Sequence, residues 1–221
     1  MKLVLYSGGF PRENLLLDRA LFKMVKNKSP LFSFIPSQSY ESELDFVAYV
    51  KRYQRFGVGR FLHFPIDIPT DEALLDEVFR SDVIHLGGGN TFYFLKHLRK
   101  QGILSKLRTF VKNGGILTGL SAGAIMMTPS ITTASFPTFD CDDNDENLKN
   151  LKALNLVSFE FFPHYKHTSR YIEEMKRYSL KIAVPLYACP DGSGIVVNEE
   201  RVQFVGKVYS FERGNLYKTF L

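Results

Sequence analysis

The sequence contains no tryptophan and only two cysteines, Cys141 and Cys189, against 20 phenylalanines and 11 tyrosines. Two thiols cannot build a disulfide framework or the four-ligand shell of a structural zinc, so no metal is expected and a reducing cytoplasm is the expected location. No apolar run approaches the roughly 18 residues that a membrane-spanning helix needs. The opening stretch Met1-Lys2-Leu3-Val4-Leu5-Tyr6-Ser7-Gly8-Gly9 reads as a first strand ending in a glycine turn rather than as a signal peptide. Internal repeats and low-complexity segments are also missing. Charge of one sign is not concentrated anywhere: 28 Lys and Arg against 23 Asp and Glu leave +5, scattered in short clusters such as Lys176-Arg177. Nucleic-acid binding would call for a dense basic stripe with interleaved aromatics, and none is present.

What is present suits a folded enzyme. With 221 residues and 45% hydrophobic content, the chain can bury a substantial core, and one α/β domain over 1–221 is expected. Short β-branched or aliphatic runs alternate with longer amphipathic stretches, the pattern of βαβ units in a parallel sheet. Strands are expected at 2–6, 31–35, 60–64, 83–86, 116–119, 159–162, 184–188, 194–198 and 201–205. Helices are expected at 14–26, 41–56, 71–81, 91–101, 104–112, 122–127 and 169–180. Asn90 is a good N-cap, and Asp71 with Glu72 opens another helix in acidic residues. Glu199-Glu200 suits the turn of a final antiparallel hairpin. The stretch 128–155, with Pro129, Pro137 and five acidic residues, reads as a loop over one end of the sheet.

Gly119-Leu120-Ser121-Ala122-Gly123 joins an expected strand to an expected helix, the setting of a nucleophile elbow. Flanking glycines allow the tight turn that presents the serine hydroxyl at the carboxyl end of the sheet. The free N–H groups of the following helix, Ala122 first, can stabilise an oxyanion. The same pentapeptide also fits a plain helix N-cap.

A serine needs a general base, and histidine is the usual one. His164 follows the strand Phe159-Glu160-Phe161-Phe162-Pro163 and so belongs at the same sheet edge as Ser121. His167 is its local rival, His63 ends an earlier strand and stays open, and His85 and His97 read as core or surface residues. An acid should orient the imidazole; Asp140 is the first after Ser121, although its cluster also fits a solvated loop. Leu86-Gly87-Gly88-Gly89-Asn90-Thr91 follows another strand. Phe92 stands where a dinucleotide fingerprint needs glycine, and no Walker lysine is present. The loop better serves as the second half of an oxyanion hole through Gly88 or Gly89, or as a structural turn.

Gly87-Gly88-Gly89-Asn90-Thr91, Gly119-Leu120-Ser121-Ala122-Gly123-Ala124 and Pro163-His164-Tyr165, in this order, resemble peptidase family S51, which comprises α-aspartyl dipeptidases and cyanophycinases. The resemblance runs from the first strand to the final hairpin. It implies a flavodoxin-like, doubly wound, mostly parallel sheet with flanking helices and a C-terminal β-hairpin, as in the class I glutamine amidotransferases, which carry cysteine in place of Ser121. It further implies a cofactor-free serine hydrolase with Ser121 as nucleophile, His164 as base and an oxyanion hole at the Gly88 and Ala122 amides. The dipeptidases carry their acid in a Thr-Thr-Asn-Asp-Met-Pro run; here Thr132-Thr133-Ala134-Ser135-Phe136-Pro137 puts Phe136 in its place. Asp140 takes over, the pair works without an acid, or the activity differs. Arg170 matches the arginine that receives a substrate carboxylate. The expected partner is a short peptide, with an acidic N-terminal residue if Arg170 acts so, held under the 128–155 loop; a homodimer is open, and neither membrane nor nucleic acid is expected. An inactive regulatory protein and an esterase or amidase are the rival readings.

Overall fold

A computed structural model describes residues 1–69 and 71–219, with the backbone alone for Lys218 and Thr219. Five parallel strands, β1 (Lys2–Tyr6), β2 (Leu31–Ile35), β3 (Arg60–His63), β4 (Val83–Leu86) and β5 (Ile116–Leu120), lie in the order β3-β2-β4-β5-β1. The sheet is extended past β1 by two antiparallel strands, β8 (Gly194–Asn198) and β9 (Arg201–Val205). Helices α1 (Leu15–Met24), α2 (Ser42–Gln54), α3 (Glu72–Val78), α4 (Thr91–Lys100) and α5 (Ile103–Lys112) make the crossovers.

Both faces of this sheet are covered, and β1 shows why its run is continuously apolar. Leu3 and Leu5 join one buried cluster with Phe94, Leu98 and Leu107, whereas Val4 and Tyr6 join another with Leu17, Leu21 and Tyr53. The side chains alternate faces, as a period of two requires. The helix starts follow local chemistry: Asn90 Oδ1 accepts from the Tyr93 amide at 2.9 Å, and Asp71 Oδ1 accepts from the amides of Ala73 and Leu74.

A second sheet stands beside the first, and the sequence reading did not separate it. It orders β11-β10-β7-β6, with β6 (Glu160–Phe162) parallel to β7 (Leu186–Ala188) and β10 (Val208–Glu212) antiparallel to both β7 and β11 (Asn215–Thr219). Helix α7 (Ser169–Ser179) packs on it through Tyr171, Met175 and Tyr178. The hairpin β8-β9 turns at Glu199-Glu200 as expected, but it is not the last: β10 and β11 follow, turning at Arg213 and Gly214. Both turn residues have positive φ, 47° and 80°, which suits the tight twist of a two-residue hairpin. The 128–155 segment is largely irregular, with one short 3₁₀ turn at Thr132–Ser135. Place by place, Ser135 rather than Phe136 stands where the Thr-Thr-Asn-Asp-Met-Pro run carries its acid; Phe136 stacks on Tyr178 with ring centroids 5.2 Å apart.

Candidate active site

Ser121 ends β5 and begins the four-residue helix α6 (Ala122–Ile125). Its backbone lies at φ 52°, ψ −113°, a region costly for a side-chain-bearing residue, and its amide still donates to Tyr6 O at 3.0 Å, continuing the β1 ladder. The two flanking glycines have different reasons. A Cβ on Gly119 would overlap the backbone of Gly123, and one on Gly123 would overlap the carbonyl of Leu86 on β4. The elbow therefore exists because α6 is pressed against two strands at once.

His164 Nε2 lies 2.8 Å from Ser121 Oγ, and His164 Nδ1 lies 2.7 Å from Asp191 Oδ1. With Nδ1–H donating to the carboxylate, Nε2 is left as an acceptor for the serine hydroxyl. His164 follows β6 and Asp191 follows β7, so the parallel pairing of these two strands sets them side by side. The ladder runs on beyond the strands, Cys189 N donating to Phe162 O and Tyr165 N to Cys189 O. The half-site on the small sheet is then fastened to the large one by Ser7, fully buried at the end of β1. Its hydroxyl donates to Cys189 O at 2.6 Å and accepts from the His164 amide at 2.8 Å. Gly8 passes directly behind the pair, where a Cβ would collide with both the imidazole and the Asp191 carboxylate. Asn14 holds that turn by donating to Gly8 O at 3.0 Å. The side chains of His164 and Asp191 are 47% and 51% exposed, so solvent screens their charge interaction and the carboxylate acts chiefly on orientation.

Asp140, the acid expected from sequence, is not at His164. Its carboxylate accepts a short hydrogen bond from Tyr171 on α7, because the 128–155 loop brings it to the small sheet's helix rather than to the imidazole's far side. Asp191 stands where Asp140 was expected. A signal for it was legible: Cys189-Pro190-Asp191-Gly192 closes the expected strand 184–188, placing a carboxylate at a strand's carboxyl end. Its meeting with His164 depends on the adjacency of β6 and β7, which is a tertiary fact. Arg170 is exposed, with its guanidinium over the Phe139 ring at 3.5 Å, and it does not line the cleft beside Ser121. The other histidines lie elsewhere: His85 is buried with Nδ1 2.7 Å from Thr118 Oγ1, His63 stacks on Phe46 and His167 on Tyr209, and His97 lies tilted against Tyr93. Burial pushes the Cys189 thiol well above its ordinary range, so it offers no thiolate.

The Ser121–His164 pair lines a cleft of about 190 Å³ walled by Thr133, Ala134, Asp140, Cys141 and Asp142 of the 128–155 segment and by Lys166. Gly88 adjoins the serine from the other side; a Cβ on it would lie 3.7 Å from Ser121 Cβ. The amides of Gly88 and Ala122 donate to no acceptor among the described residues, Ala122 being the first residue of its helix. Gly89, at φ 127°, is turned toward Ser37. Among the described residues no cluster of His, Cys, Asp or Glu has a metal-binding arrangement, and no helix is long and apolar enough to cross a membrane.

The chain is similar to other proteins in sequence and in fold. The uncharacterized peptidase YgaJ of Bacillus subtilis (strain 168) is 35% identical over 123 residues, 53% of this chain and 52% of that protein. Peptidase E of Salmonella arizonae is 42% identical over 69 residues, 31% of this chain and 30% of its own length. The matched stretches thus span about half or less of these relatives. A provisionally named peptidase E protein of Listeria monocytogenes EGD-e superposes with a TM-score of 0.69 at 25% identity, covering 92% of this chain and 97% of the other. A peptidase from an acI-B1 Actinobacterium shares the fold, with a TM-score of 0.73 over 99% of this chain and 93% of its own at 16% identity. Residues 3–205 match the description of peptidase family S51, from the first strand through the β8-β9 hairpin, and the chain therefore belongs to that family.

Proposed function

We propose that this chain is a serine peptidase of short peptides, with Ser121 as nucleophile, His164 as general base and Asp191 as the orienting acid. The observation that carries the reading is the unbroken relay from Asp191 Oδ1 through His164 to Ser121 Oγ, at 2.7 and 2.8 Å, on a strained elbow. In this reading Ser121 Oγ attacks the scissile carbonyl carbon while its proton passes to His164 Nε2. Negative charge gathers on the carbonyl oxygen, where the unengaged amides of Gly88 and Ala122 receive it. The C–N bond then breaks, His164 returns the proton to the leaving amine, and water repeats the sequence to free the acid. Asp191 keeps Nδ1 protonated throughout, so that Nε2 is the basic nitrogen each time. The small volume of the cleft and its wall of 128–155 residues favour short substrates.

A fluorophosphonate probe tests the chemistry directly. Wild type is expected to be labelled on Ser121 and Ser121→Ala is expected to stay unlabelled. An unlabelled wild type would overturn the enzymatic reading in favour of a binding protein on this fold.

A further inference from the structure

A second cavity, of about 430 Å³, lies on the far flank of the glycine loop. Gly88 forms part of its wall and also adjoins Ser121, so the cavity and the nucleophile share a rim. Three rings build its body: Phe34 and Tyr49 are 5.2 Å apart between centroids, Phe34 and His85 5.7 Å, Tyr49 and His85 5.1 Å. Pro36, Ala48 and Leu120 continue the apolar lining. We infer that this cavity is the specificity pocket and that it receives the side chain of a bulky apolar residue, aromatic or long aliphatic, on the acyl side of the scissile bond. The inference rests on the serine-peptidase reading above.

The side is set by the proton. His164 must deliver it to the departing amine, and His164 lines the 190 Å³ cleft; the leaving half of the peptide belongs there and the acyl half on the Gly88 flank. The chemistry is set by what the charged groups around the cavity are already doing. Arg52 reaches its wall, but Nε and a terminal nitrogen both donate to Asp18, at 3.0 and 2.6 Å, and the guanidinium lies over the rings of Tyr6 and Tyr53. Its charge is thereby paired with Asp18, and a substrate carboxylate at its remaining N–H groups would compete with that carboxylate. His85 is bonded through Nδ1 to Thr118, and burial together with the nearby Arg52 holds its pKa at about 3, so the imidazole is neutral at physiological pH. The remaining charged group is Asp45, whose carboxyl is shifted upward by burial and by Glu41. An aspartyl side chain entering here would give up its hydration, find the one arginine already paired with Asp18 and face a like charge at Asp45. A phenyl or isobutyl group would lose only water contact. The volume lies within the range of about 300–1,000 Å³ typical of small-molecule sites.

The test is a panel of dipeptides, Phe-Ala, Leu-Ala, Gly-Ala and Asp-Ala, assayed on wild type, Ala48→Trp and Ala48→Leu, with fluorophosphonate labelling of each protein. Wild type should cleave Phe-Ala and Leu-Ala with kcat/KM at least about tenfold above Gly-Ala and Asp-Ala. Filling the cavity at Ala48 should remove most of that ratio while Gly-Ala turnover and Ser121 labelling persist, more completely with Trp than with Leu. Labelled wild type that prefers Asp-Ala, or variants that label normally and keep the wild-type ratio, would overturn the pocket assignment and leave the nucleophile standing. An unlabelled wild type would overturn both.

Discussion

Three carboxylates lie near enough to the elbow to be weighed as its third group, and their partners separate them: Asp142 is held by the Thr91 amide at 2.7 Å. Asp140 is held by the Tyr171 hydroxyl on α7, whereas Asp191 faces His164 Nδ1 at 2.7 Å. Replacing Asp191 by Asn removes the acceptor for Nδ1–H and lets the imidazole present the wrong nitrogen to Ser121. The expected loss in kcat is about 10²–10⁴-fold, with substrate KM little changed, because the group acts on the base rather than on the peptide. Asp140→Asn should stay close to wild type in the same steady-state assay. A larger loss for Asp140→Asn than for Asp191→Asn would return the role to the loop. The strained residues tell the same story at finer grain: Ser121 and His164 both have positive φ, 52° and 55°, and neither is glycine. Such conformations cost about 1–3 kcal/mol each and persist where surrounding contacts impose them. Here those contacts are the Ser121 amide on Tyr6 O and the His164 amide on Ser7 Oγ.

Among the elements, the interval between the two sheets matters most. Ser121 comes from the large sheet, His164 and Asp191 from the small one, and Ser7 spans them with two hydrogen bonds from a fully buried position. Ser7→Ala would strand the His164 amide and the Cys189 carbonyl contact without adding bulk. We expect a stability loss of about 1–3 kcal/mol in denaturant titration. We also expect a fall in kcat exceeding any rise in KM, since the base loses its register to the nucleophile. Full activity with only the stability loss would make the serine purely structural. The strands β1, β2, β4, β8 and β9 carry boundaries identical to those read from hydrophobic pattern, and the Asn90 and Asp71 caps fall where side-chain chemistry put them. The strands β10 and β11 were not recognised, although Val208-Tyr209-Ser210-Phe211-Glu212 alternates and Arg213-Gly214 can form a tight turn. Short strands with polar faces resemble surface loops until a partner strand is known, and the partner here is β7.

On the scale of the whole molecule, a buried carboxyl in β6 links stability to pH. Glu160 is 4% exposed, its Oε2 has no hydrogen-bond partner among the described residues, and burial raises its pKa from 4.5 to about 7. The folded state therefore holds a proton that the unfolded chain has released. The cost accumulates as pH rises from about 4.5 to 7, is constant above that, and vanishes below the unfolded value. Glu160→Gln should thus stabilise the protein at pH 8 by up to about 2–3 kcal/mol and match wild type near pH 4 in thermal denaturation. A difference independent of pH would show that the Glu160 carboxyl titrates alike in the folded and unfolded states. By itself the sequence determined the alternation that builds a parallel sheet, the serine elbow between strand and helix, the histidine at a strand's end and the glycine loop. These are local matters, since periodicity, turn chemistry and capping act within a few residues. Only the tertiary structure decided which carboxylate meets the histidine, that Arg170 stacks on Phe139 away from the cleft, and that Gly8 must be bare. Each depends on residues far apart in the chain being held within a few ångströms, and that distance is set by strand pairing and by the fit of one sheet against another.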